Sequence, residues 1–183
     1  DAPPVNMPLA RATQDLVHRF YPNQEQIAGE RPDRFVAASD SGALEMGTYD
    51  GSTLPMWKWA REYTLADNFF MGGFGGSYFN HMYLICACAP IDRDAPADLR
   101  AQIDARGWLR TRSTSPASVL SGPPEFLDGD VTPDGYSVNT TQPPYQPSRV
   151  PPAKGGDPRA TDPAQHTLPP QTLTTIGDTL SAK

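Results

Sequence analysis

Proline is spread unevenly along this chain, and that constrains the fold more than any other feature. Thirteen of its 21 prolines lie after residue 115. Proline gives no N–H to a helix or a ladder, so the second stretch cannot build a sizeable core of regular structure by itself. Proline and glycine together make 36 of the 183 residues, where roughly 12% is usual. The chain therefore reads as two unlike stretches. An apolar, aromatic part runs to about residue 112, and a loop-rich part follows.

The length suits one ordinary domain or a piece of a larger one. Acids outnumber bases by 21 to 15, which gives a net charge of -6 and a pI near 4.9. That balance argues against nucleic acid as a partner, because phosphate neutralisation needs a basic face. No apolar run is long enough for a transmembrane helix. The first residues, Asp1-Ala2-Pro3-Pro4, lack the basic and then apolar order of a signal peptide. A cleaved signal leaves no trace, so composition is silent on compartment. Two cysteines are too few for a disulfide framework.

Residues 1–12 read as an extended arm. Thr13 or Asp15 could cap a short helix through Leu16, Val17, Phe20 and Tyr21, which Pro22 either disrupts or restarts. Gly29 to Pro32 is a break, Phe35 to Ala38 a short apolar run, and Ser39 to Gly42 a turn. Ser52 or Thr53 before Pro55 predicts a helix to about residue 64. Leu65 to Phe70 reads as a buried strand leading into the turn Met71 to Ser77. An apolar helix then covers 78–89 and stops at Pro90, with another near 96–105. Trp108 to Arg112, Ser118 to Leu120 and Tyr136 to Asn139 read as short strands, and Asp134-Gly135 as a hairpin-type turn. Residues 141–170 form a long loop, and Leu173, Ile176 and Leu180 have the spacing of a closing helix. That helix reaches Lys183 with no stop signal, so a truncated end is expected.

The chemistry concentrates between Leu65 and Pro90. A strand, a glycine turn, a serine and a helix together expose a nucleophile. The free N–H groups at the start of the helix favour an anion. The glycines let the backbone approach a ligand closely. Ser77 could attack phosphorus or a carbonyl there, or it could simply cap the helix. Cys86 and Cys88 do not suit zinc with His81. On a helix they point about 200° apart, which also disfavours a disulfide, and the expectation is two small buried apolar residues. Asp67 is expected to be a buried acid capping local N–H groups, with a supporting carboxylate as the functional alternative. One of Trp57 and Trp59 is expected to pack while the other faces a neighbouring surface. His166 is expected to be solvated, and Tyr145 to lie either in a polyproline recognition motif or in a loop packed over the site.

Several stretches share one resemblance. Asp67-Asn68-Phe69-Phe70, Phe74-Gly75-Gly76-Ser77, Asn80-His81 and Leu84-Ile85-Cys86-Ala87-Cys88-Ala89-Pro90 resemble the bacterial phosphoesterase family of acid phosphatases and phospholipases C, within the alkaline phosphatase superfamily. Asp15 to Tyr21, Asp33 to Val36, Asn139-Thr140 with Gln142 to Ser148, and Thr175 to Asp178 with Leu180 to Lys183 resemble the acid phosphatase branch. These stretches fall in family order over most of the chain.

The resemblance implies an α/β fold, as an incomplete α/β/α sandwich of the alkaline phosphatase type. It implies one catalytic domain, with 1–112 as the apolar portion carrying the nucleophile turn, 113–171 as the proline-rich loop with short strands, and 172–183 as the start of the next helix. It implies that Ser77 is the nucleophile and a metal ligand, that Asn80 and His81 bind the substrate phosphate, and that His18 contacts phosphate or protonates the leaving group. An asparagine one helical turn after the serine lies on the same face, which fits that role. The implied cofactor is one divalent metal ion, which would stabilise the serine alkoxide. The implied substrate is a phosphorylated small molecule or a phospholipid, and the implied location is periplasmic or secreted. Monoester hydrolysis is the first reading and phospholipase C-like diester cleavage the second.

Two departures shape the expectation. The family's Glu-Asn and Asp-Asp metal-ligand pairs have no counterpart, because neither dipeptide occurs. Ala28 to Pro32 also stands where the family has an Asn-Gly-Gly-Lys-Met-like run. The chain reads as the middle of a family member, with the remainder of its own polypeptide as a partner and little activity alone. The non-enzyme alternative is an inert folding or binding segment. Serine-based acyl transfer is disfavoured, because Phe74 to Tyr78 lacks a Gly-x-Ser-x-Gly elbow.

Overall fold

A computed structural model describes residues 4–27 and 34–182. These residues form a mixed α/β chain. Strand β1 (Val5–Met7) lies parallel to β2 (Gly47–Tyr49), with Val5 opposite Gly47 and Met7 opposite Tyr49. Parallel strands need a long crossover, and this one carries helix α1 (Phe20–Ile27). Helices α2 (Met56–Glu62), α3 (Ser77–Cys86) and α4 (Ile176–Ser181) follow. The arm expected at 1–12 thus contains a strand. The break at Gly29 to Pro32 lies outside the described residues.

Local chemistry explains where the helices start. Pro22 sits in the first turn of α1, where its missing N–H would have no helical partner. The helix expected from Thr13 or Asp15 does not form before Phe20. The N–H of Val17 goes to Asp40 Oδ1 at 3.1 Å and that of Phe20 to Asn139 Oδ1 at 3.0 Å. Pro55 precedes α2, as its position predicts. Thr175 and Asp178 close a reciprocal capping box at α4.

The C-terminal stretch is held by bridges and turns more than by strands. Isolated bridges join Ile103 to Leu109, Thr111 to Phe126 and Val131 to Ser137. Asp134-Gly135 makes its turn, with Gly135 at φ +92. Ser118 to Leu120 is a turn, and only Ala97–Leu99 of the expected helix near 96–105 forms, as one 3-10 turn. Tyr145 is exposed and bridges Ala160 across the proline-rich loop. Tyr21, Ala101 and Leu109 form a small core, packed by Phe20, Ile103 and Phe126. Buried Glu25 accepts the N–H of Leu109 at 2.8 Å and so ties α1 to this layer.

Three further expectations are corrected. Leu65 to Phe70 is neither a strand nor buried, and Phe69 is 86% exposed. A lone segment without a ladder partner has nothing to hold it as a strand. Cys86 and Cys88 are disulfide-bonded. The helix ends at Cys86, and Ala87 turns left-handed at φ 50, which brings the two Cα atoms to 5.1 Å. The 200° argument fails because Cys88 is not helical. Trp57 lies over Gly51 and Trp59 against Tyr63, yet both remain more than a third exposed.

Candidate functional site

Helix α3 presents its first residue, Ser77, to a cavity of about 480 Å³. The preceding Gly76 carries no side chain to cap the helix, so the first N–H groups are left for a ligand. Gly76, Ser77 and Tyr78 line the cavity together with Asp15 to Arg19. Asp40, Asp130, Asn139, Gln142 and Arg149 also reach the cavity. The phenol of Tyr78 is pushed above its ordinary value, mainly by burial, and stays protonated.

His18 meets Ser77 at this cavity. Its Nδ1 donates to the carbonyl of Leu16 at 2.7 Å, since a carbonyl can only accept. In the neutral ring Nε2 therefore carries the lone pair. The ring edge bearing Cδ2, next to Nε2, approaches Gly76. Asp15 stands 3.8 Å from Nδ1.

The segment carrying His18 is fastened from three sides. Asp40 accepts the N–H of Val17, and Gln14 donates to the Asp40 carbonyl at 2.7 Å. Arg19 forms ion pairs with Asp128 and, at 2.9 Å, with Asp130. Burial opposes the Arg19 charge, but the two carboxylates outweigh it and hold the guanidinium above its ordinary value. Asn139 accepts from Phe20 and donates to the Gly129 carbonyl at 2.8 Å.

The other predicted site residues are placed differently. The Asn80 side chain is turned into the glycine turn, one helical turn after Ser77. Its Oδ1 accepts the N–H of Gly73 at 3.0 Å, and its Nδ2 donates to the carbonyls of Gly75 and Gly76 at 3.2 and 3.1 Å. His81 is exposed and does not line the cavity. Asp67 is exposed rather than buried, and its Oδ1 accepts from the Asn68 amide at 3.2 Å. His166 is not free in solvent. Its Nε2 lies 2.8 Å from Oδ2 of fully buried Asp92 and pins the proline-rich loop to the segment after Pro90.

Ser77 Oγ is the one donor of the expected metal set placed at the cavity. Among the described residues, no group of three or more His, Cys, Asp or Glu converges as a cage. These residues alone do not fit a resident metal ion. No described helix is long and apolar enough to cross a membrane.

Asp40, Arg19, Asn139 and Arg149 were not singled out from the sequence. Asn139 lies in a stretch that carried the resemblance, and Arg19 adjoins His18, so both had a signal. Asp40 had none, because its bond to Val17 spans 23 residues.

Ser77, at an uncapped helix start, and His18 line the same polar cavity, and the free N–H groups of that helix start favour an anionic ligand. The Phosphoesterase family model matches residues 4–183, and the chain belongs to that family. Its chemistry is phosphoester hydrolysis, and its substrates are phosphorylated. No curated protein matches the chain, and no solved structure does.

Proposed function

We propose that this chain carries the nucleophile segment of a phosphomonoesterase of the acid phosphatase kind. Its 183 residues would form part of one catalytic domain, an α/β/α sandwich of the alkaline phosphatase type. The observation that carries the reading is the meeting of Ser77 and His18 at one polar cavity.

The Ser77 alkoxide attacks phosphorus, and the bond from phosphorus to the leaving oxygen breaks. Protonated His18 gives its Nε2 proton to that oxygen. A phosphoserine remains. Water then attacks phosphorus, His18 Nε2 takes the water proton, Ser77 Oγ leaves, and inorganic phosphate departs. Proton and charge return to their starting places. The free N–H groups at the start of α3 stabilise the anionic oxygens through both steps. Asn80 contacts a phosphate oxygen by exchanging one of its two carbonyl partners, and His81 comes into play only if the substrate extends beyond the cavity. Acid pH favours the cationic form of a histidine, which suits an acid phosphatase.

A divalent metal would supply support for the alkoxide, and Ser77 is the one ligand of the implied set that these residues would offer it. Its remaining ligands would come from polypeptide outside these residues, since no Glu-Asn or Asp-Asp pair occurs within them. The protein would work in the periplasm or outside the cell. The Cys86–Cys88 disulfide supports that location, because disulfides persist where the surroundings oxidise.

The test is hydrolysis of p-nitrophenyl phosphate by the complete polypeptide, from pH 5 to 9, beside Ser77→Ala. Loss of turnover in the variant supports the reading, and full activity contradicts it.

A further inference from the structure

We propose that Arg149 recognises the second negative charge of a phosphate monoester dianion and so sets a preference for monoesters over diesters. This rests on Ser77 and His18 as the reacting pair. Asp15, Asp40 and Asp130 line the same cavity as Ser77 and would repel a dianion. A cation is therefore needed there, and the cavity's two arginines differ in what their charge does.

Arg19 is committed to Asp128 and Asp130. Arg149 is exposed and has no carboxylate within ion-pairing distance among the described residues. Its backbone, by contrast, is fixed. The N–H of Arg149 donates to Gln142 Oε1 at 2.7 Å. Gln146 holds both neighbours: its Oε1 accepts the N–H of Ser148 at 2.9 Å, and its Nε2 donates to the Val150 carbonyl at 2.8 Å. The Gln142 carbonyl in turn accepts the N–H of Leu168 at 2.8 Å.

A fixed backbone carrying an uncommitted guanidinium is already arranged for an anion, so little ordering remains to be done on binding. The planar fork matches two phosphate oxygens at once. A monoester dianion offers that fork an additional charge, and a diester monoanion does not. The proline-rich loop thereby acquires a task, which is to hold Arg149 at the cavity that Ser77 also lines.

The test compares the complete polypeptide with Arg149→Ala and Arg149→Lys. Inorganic phosphate binding is read by calorimetry, and kcat/KM is read on p-nitrophenyl phosphate and bis(p-nitrophenyl) phosphate. Charged hydrogen bonds of this kind imply a loss of about 10- to 100-fold in phosphate affinity for Arg149→Ala. Monoester kcat/KM should fall by a similar factor, and diester kcat/KM by no more than about 3-fold, as expected when one extra charge is unrecognised. Arg149→Lys should fall between, because it keeps the charge and loses the fork. Unchanged phosphate affinity, or equal losses on both esters, overturns the proposal. Phosphate affinity is read without turnover, so it stands apart from the Ser77→Ala result. A Ser77→Ala protein that keeps its turnover would sink the nucleophile reading while leaving the Arg149 result intact.

Discussion

Gly76 lies against the main-chain carbonyl of His18, so closely that a Cβ on Gly76 would overlap that oxygen. Gly76 has φ -72, which any residue can adopt, so the demand here is for space alone. This contact joins the turn that carries Ser77 to the segment that carries His18.

Gly76→Ala should therefore cost both stability and activity. The obstacle is backbone, which yields less readily than a flexible side chain. Overpacking of this sort costs about 1–3 kcal/mol. Thermal denaturation and kcat on p-nitrophenyl phosphate check it together. A variant with wild-type stability and kcat would show that the close approach is not maintained.

His18→Gln should slow hydrolysis in proportion to how much the leaving group needs a proton. Loss of a general acid costs typically 10²- to 10⁴-fold. Phenyl phosphate should suffer toward the upper end and p-nitrophenyl phosphate much less, since p-nitrophenolate leaves readily unprotonated. Equal losses on the two esters would remove His18 from the proton transfer.

Much of the secondary structure can be read locally, and the residues show why the rest cannot. Pro55 marks the start of α2, the glycine turn marks the start of α3, and the spacing of Leu173, Ile176 and Leu180 marks α4. The segment before Phe20 escapes such reading because its partners are distant. The bond from Phe20 to Asn139 spans 119 residues, and Arg19 reaches carboxylates 109 and 111 residues away. A helix extended through Ala87 misplaces the cysteine pair, because Ala87 is the one non-glycine described residue with positive φ. Ser77 and His18 are legible because they sit in motifs. Their meeting at one cavity is a tertiary fact.

Glu25 should make stability fall as pH rises through the mildly acidic range. Burial pushes its carboxyl above the ordinary 4.5, while the Leu109 N–H and Arg34 act against the shift. An acid of this kind holds its proton longer in the folded chain. Its contribution is full below pH 4.5 and is lost as pH climbs through the raised folded value, because the unfolded chain ionises first. Asp50, Asp104, Asp157 and Asp178 are held below 3.8 by local hydrogen bonds and act in the opposite direction, in a lower window. Urea denaturation at several pH values between 4 and 7 should show a shallower fall for Glu25→Gln. Parallel profiles for variant and wild type would contradict the assignment.

Reduction of the Cys86–Cys88 bond should have a small effect on stability. The closed loop spans three residues, for which chain entropy gives about 1.6 kcal/mol. Thiol titration of the unreduced, denatured protein should find no free thiol. Denaturation with and without reductant then measures the loss. Two free thiols before reduction would remove the argument for an oxidising compartment.

The central claim is that Ser77 becomes phosphorylated during turnover. The complete polypeptide would be mixed with p-nitrophenyl phosphate, quenched in acid within the first turnovers, digested and sequenced by mass spectrometry. The account predicts phosphate on the Ser77 peptide, absent from Ser77→Ala and lost again when the substrate is exhausted. Steady hydrolysis with no phosphate on Ser77 at any quench time would contradict it.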